Sequence, residues 1–186
     1  MINFLSAITA LAVSVTAVTT AERNPQTDSA AVKRFDQSLN NYLALKERLH
    51  REVPELRVTG KSEEINNRSD MLAGAIQRAR ATARQGEFFE PDIARIIRTR
   101  VSEALRGENV ASLLARINDE PILKGPPTVH LRFPTTSAMA TMPAHLLEAL
   151  PALPKGLEYR FAGRTLILRD RDAALIIDIL PDALPK

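Results

Sequence analysis

The chain has 186 residues, with 25 Lys and Arg against 22 Asp and Glu, 45% apolar residues, and neither Cys nor Trp. Without Cys there is no disulfide, no thiol nucleophile and no Cys-based metal site, and a net charge of +3 is too small to argue for a nucleic-acid partner. What remains is a globular chain of one domain, or one domain with an appendage, whose core must hold without cross-links.

Residues 1–21 carry no charged side chain, and residues 4–18 are apolar apart from Ser and Thr. Glu22, Arg23, Asn24 and Pro25 follow abruptly. This is the pattern of a secretory signal peptide cut after Ala21, with Thr19 and Ala21 as the small residues before the cut. It departs from that pattern in having no Lys or Arg ahead of the apolar run. The alternative is an uncleaved anchor, although the run falls short of the ~20 apolar residues that a spanning helix needs. The expectation is therefore an exported protein, periplasmic or secreted.

Residues 22–118 follow helical spacing. Val32, Phe35, Leu39, Tyr42, Leu49 and Val53 predict one amphipathic helix over 30–53, capped by Asp28 or Ser29 and stopped by Pro54. Ile65, Leu72, Ile76, Ala79 and Ala83 predict a second over 62–85, capped by Ser62, with Glu63 and Glu64 in its first turn and Gly86 as terminator. Pro91 opens a third, whose stripe is Ile93, Ile96, Ile97, Val101, Ala104 and Leu105 and whose end is Gly107. Val110, Leu113, Leu114 and Ile117 form a short fourth.

Residues 119–156 are a Pro-rich connection. Within it, the alternation over 129–133 could make a strand, and Pro143 opens a brief helix over 144–150. Residues 157–186 read as an antiparallel meander and a tail. Leu157, Tyr159 and Phe161 alternate with Glu158, Arg160 and Ala162, and Leu166 and Leu168 continue the pattern. Residues 174–180 are nearly all apolar, as in a strand covered on both faces. The predicted fold class is α+β: three to four amphipathic helices followed by a small antiparallel β-meander. Each layer is marginal alone, so the two are expected to share one core, or the chain to self-associate as a homo-oligomer. The ionised groups are expected to face outward.

The string EYRFAGRTLILRDRDAALIIDILPDALP resembles the carboxyl-terminal end of a group of uncharacterised exported bacterial proteins, and AIQRARATARQGEFFEPDIARIIRTRV is similar to the helical part of the same group. The resemblance covers most of the chain after the leader. It implies export and no particular activity. More distantly, the Tyr-Arg pair before a Gly turn resembles small periplasmic hairpin proteins of metal homeostasis.

Chemistry-bearing patterns are sparse. Among His50, His130 and His145 only His145–Glu148 has the i, i+3 spacing that puts two ligands on one helix face. Ser137 stands between His130 and His145 without a glycine elbow to sharpen it. Asp170, Asp172 and Asp178 could collect a hard cation, but Arg169 and Arg171 are interleaved, and a charged turn whose Asp side chains bond nearby N–H groups explains the run better. Glu87, Glu90 and Asp92 could pair as carboxylates for glycoside cleavage, yet Glu90 and Asp92 sit where helix-start residues belong. No Gly-rich phosphate loop is present, so no cofactor is expected.

Arginine is the distinctive feature. Arg78, Arg80, Arg84, Arg95, Arg98, Arg100 and Arg106 crowd the second and third helices against Glu87, Glu90, Asp92 and Glu103. Arg80 and Arg84 are expected on one face, with Arg95 one turn before Arg98, and such a face suits acidic polymers or anionic lipid head groups. A solvated face of weak ion pairs is the plainer alternative. The functional expectation is a non-catalytic module that binds an envelope protein or an anionic envelope component through Arg80, Arg84, Arg95 and Arg98. The alternative is a periplasmic hydrolase or metal-linked protein using His130, His145 and Glu148.

Overall fold

The computed structural model describes residues 25–53, 62–118, 123, 125–133 and 142–186. The leader expected over residues 1–21, Pro54 and Ser137 lie outside them. The described residues form helices α1 (Pro25–Glu52), α2 (Ser62–Ala79), α3 (Pro91–Ala104), α4 (Val110–Asn118) and α5 (Ala144–Ala149), then strands β1 (Leu157–Ala162), β2 (Thr165–Asp170) and β3 (Leu175–Leu180). This is the α+β arrangement the sequence predicts, with the meander after the helices. No helix among the described residues is long and apolar enough to cross a membrane.

α1 starts at Pro25, ahead of the predicted 30, because proline at a first helical position gives up only an N–H that has no partner there anyway. Asp28 thus falls in the first turn, near the positive end of the helix, and accepts a 2.7 Å bond from Arg95 of α3. Ala31, Phe35, Leu39, Tyr42, Lys46 and Leu49, spaced three and four apart, are its buried face. Phe35 stacks on Phe89 with centroids 6.1 Å apart, and Tyr42 meets Phe88 edge-on at 5.8 Å. α3 buries Ile93, Ala94, Ile96, Ile97 and Val101, and Gly107 follows it with φ +87°. A fully buried aliphatic side chain contributes about 1.5–3 kcal/mol relative to an exposed one, so this stripe anchors α3.

The sheet order is β1-β2-β3, antiparallel throughout. Its inner face (Leu157, Tyr159, Phe161, Leu166, Leu168, Leu175 and Leu180) joins the buried faces of α1, α2 and α3 in one cluster. Helices and sheet therefore share a core. A smaller cluster, Ile167, Ile176 and Ile179 under Phe133, covers the outer face, so every residue of β3 is buried. The segment 129–133, expected as a strand, makes one bridge, Arg132 with Leu175. His130 N–H donates to Ile176 O, Ile176 N–H to Leu131 O, and Phe133 N–H to Ala174 O. It is a strand in miniature, and it closes the β3 edge.

Two expectations are corrected. α2 ends at Ala79, not at residue 85, and residues 80–82 turn away from the helix. The loop that follows is held by a distant carboxylate, described below. Nor do the ionised groups all face outward: Lys46, Arg80, Arg169, Asp170 and Asp178 are buried. Each is held by partners of opposite charge or by backbone, the condition under which a buried charge is tolerated.

Candidate functional site

β2 and β3 run in register from Leu166↔Leu180 to Leu168↔Asp178, then shift, so that Arg169 pairs with Ile176 and Ile177 is the extra residue of a β-bulge. Leu168 lies on the inner face, so the bulge turns its partner Asp178 inward, where a regular strand would have sent it out. Asp178 is fully buried. Its Oδ1 accepts from Gly86 N–H and Ile179 N–H, and its Oδ2 from Phe88 N–H and Phe89 N–H, all at 2.8 Å. Burial pushes its carboxyl upward, opposed by those N–H groups. The loop after α2 is thus wrapped around one carboxylate.

Ile177, unpaired at the bulge, offers its carbonyl to Arg80 Nη2 at 3.3 Å. The same nitrogen bonds Glu87 Oε2 at 3.0 Å, and the guanidinium lies over Phe88 at 5.0 Å and Tyr42 at 5.4 Å. Its Nη1 has no hydrogen-bond partner. Aromatic faces hold a guanidinium by electrostatic attraction to the ring, and here they fix its plane. The turn that follows borders an open, shallow hollow of about 410 Å³ lined by Arg80, Thr82, Arg84, Gly86 and Glu87 with their neighbours. Arg84 is exposed at its rim.

The four arginines expected to make one basic face are divided. Arg80 and Arg84 share this hollow, Arg80 within its wall and 7% exposed. Arg95 lines a second hollow of about 190 Å³ with Asp28, Arg100 and Glu103. Arg98 is turned to the tail, donating to Pro181 O at 2.9 Å and Asp182 O at 3.3 Å. Arg164 does the same from the β1–β2 turn, bonding Leu184 O and Pro185 O.

The histidine alternative is laid out apart. His130, with φ +69°, receives a 2.9 Å bond on its carbonyl from Gln77 of α2. Burial, then the Arg80 guanidinium, lower its imidazole pKa below the usual value, and Glu87 opposes. His145 and Glu148 are exposed on α5, a helix that packs on α3. Among the described residues no three His, Asp or Glu side chains stand close enough to hold a metal ion. Glu90 makes no capping bond; with Asp92 it pairs with Arg34 of α1 instead.

The charged turn is also a structural device. Asp170 Oδ1 accepts from Asp172 N–H at 2.9 Å and Ala173 N–H at 3.0 Å, and Oδ2 accepts from the Tyr42 hydroxyl at 2.7 Å. Lys46 Nζ lies 2.9 Å from the same carboxylate and 2.7 Å from Asp172. Burial first, then Asp170, raise the Tyr42 pKa well above the usual phenol value. On the outer face, Glu158 gathers Arg160, Arg169 and Arg171, and Arg169 lies 4.8 Å from the Phe133 centroid. The sequence pattern gives no hint of Lys46 or Tyr42 in this role, since both fit an ordinary amphipathic stripe. The signal available for Asp178 is a single acid inside the apolar run LIIDIL. Compared with known protein families, curated proteins and solved structures, the chain matches none.

Proposed function

We propose that the protein is an exported, non-catalytic binding module of the cell envelope, and that the hollow after α2 takes an anionic group of an envelope component. The observation that carries this reading is the pairing of Arg84, exposed at the rim, with Arg80, fixed in the wall by Glu87, Ile177 O and two aromatic rings. A guanidinium held in place in advance loses less entropy on binding an oxyanion than a free one. Two arginines against one glutamate leave the hollow positive. The leader-like residues 1–21 support the location.

The test is co-sedimentation of the full chain with vesicles of phosphatidylglycerol and phosphatidylcholine. Wild type is expected to bind the anionic vesicles and to be released as salt shortens the screening length. Arg84→Glu should abolish binding with an unchanged circular dichroism spectrum, whereas Arg95→Glu, at the other hollow, should not. Binding indifferent to Arg84→Glu and to salt would overturn the reading.

A further inference from the structure

The two edges of the sheet are treated differently. The β3 edge is closed by 129–133, but β1 has no strand beyond it among the described residues. The direction of its backbone groups can be read from the hairpin. Gly163 has φ +54° at the first of two turn residues, which suits a two-residue turn closed by the pair Ala162↔Thr165. A two-residue turn makes its closing pair the hydrogen-bonded kind, and the two kinds then alternate. Ala162, Arg160 and Glu158 therefore bond β2, while Phe161, Tyr159 and Leu157 turn their N–H and C=O groups outward. Two bonds at the far end confirm the phase: Gly156 O accepts from Arg171 on the β2 side, and Leu157 N–H turns away to Pro154 O. Tyr159 and Phe161 keep outward backbone groups for which the described residues supply no partner.

We infer that β1 is a self-pairing edge, and that two copies of this chain join antiparallel about Tyr159 into a continuous six-stranded sheet. The sequence of β1 is complementary to itself in that register. Tyr159 opposes its own copy, and Phe161 N–H of each chain meets the Leu157 carbonyl of the other, while Leu157 N–H stays with Pro154 O. On the inner face Leu157, Tyr159 and Phe161 are already buried within each chain, so the join rests on the backbone bonds and on the outer-face charges. On the outer face, Glu158 stands opposite the partner's Arg160 and Arg160 opposite the partner's Glu158, so the charge pairs form twice, as a two-fold axis requires. Within one chain these two side chains are 2.9 Å apart and mostly covered, with 16% and 20% of their side-chain surface left to a partner. An open edge whose opposite charges sit two residues apart on one face selects its own copy over a generic strand.

The experiment is light scattering of the full chain after size exclusion over a dilution series, with hydrogen exchange read at single amides. A dimer that dissociates on dilution is expected, with Tyr159 and Phe161 N–H protected at high concentration and exchanging freely in the monomer. Arg160→Glu places like charges opposite each other twice and should weaken the dimer by roughly tenfold. Glu158 keeps Arg169 and Arg171 in that variant, so the fold should survive, as circular dichroism would report. A monomer at every concentration would mean that Glu158 and Arg160 only blunt the edge, and would overturn the inference. So would a dimer that leaves those two amides unprotected.

Discussion

Asp170 and Asp178 are the same side chain, both without solvent exposure, on neighbouring strands of one sheet, and the molecule neutralises them by different means. Asp170 at the end of β2 is met by a cation, Lys46, and by a phenol, Tyr42, both from α1. Asp178 at the β3 bulge is met by four backbone N–H groups, three of them from the loop after α2. The first arrangement joins two elements by charge. The second shapes a loop by hydrogen-bond geometry, and it sets where the hollow forms. The difference predicts that removing charge while keeping shape will be tolerated at one site and not at the other.

The largest effect should come from Asp178→Asn. Whichever way the amide is turned, its NH2 faces two backbone N–H donors, and at about 1–3 kcal/mol for each buried unsatisfied group the loss should reach about 3 kcal/mol in urea unfolding. The vesicle binding described above should fall with it if the loop loses its form. Asp170→Asn should cost less, about 1–2 kcal/mol, because the retained oxygen still takes two N–H groups and Lys46, while the new NH2 can donate to the Tyr42 oxygen. Equal losses at the two positions would break the comparison. Tyr42→Phe, which deletes one hydrogen bond to a buried carboxylate, should cost about 1–2 kcal/mol by the same measurement.

A pH titration sharpens the contrast further. Burial pushes the Glu158 carboxyl up, but the hydrogen bonds and charges of Arg160 and Arg169 together outweigh it and hold its pKa below the ordinary value of 4.5. A depressed carboxylate stabilises the fold above its unfolded pKa, and that stabilisation is lost as pH falls through the folded value. Unfolding followed from pH 6 downward should therefore show a loss of stability starting near pH 4.5 in wild type and smaller in Glu158→Gln. At the small end, Arg34→Ala removes ion pairs to Glu90 and Asp92 that are about half exposed, and should change stability by under about 1 kcal/mol.

The same two carboxylates show what the sequence could and could not convey. The meander was legible because period-2 alternation in LEYRFA and a Gly turn are local, and α3 because Pro91 and Gly107 punctuate it. Residues 79–85, ARATARQ, continue a helical pattern with no breaker before Gly86, so local reading extends α2 through them. The helix gives way to a turn at Arg80 instead, and Asp178, some ninety residues away in sequence, holds the loop beyond it through the N–H groups of Gly86, Phe88 and Phe89. Arg80 looked like a surface residue for the same reason: its burial depends on a bulge carbonyl and on Tyr42 and Phe88, none of which its own neighbourhood reveals. Arg84, exposed beside it, is the one member of the expected basic face that a local reading places well on the hollow's rim. Lys46 was hidden in plain amphipathic spacing, where a long side chain ordinarily reaches back to water.

The bulge at Ile177 has a consequence for misfolding. Were β3 to slide along β2 by a single position, its side chains would exchange faces, and the Asp178 carboxylate would land among Ile167 and Phe133 with no donor to receive it. Such a mispaired chain would carry a bare charge in an oily layer, so the sheet has one viable alignment and a steep penalty against the next.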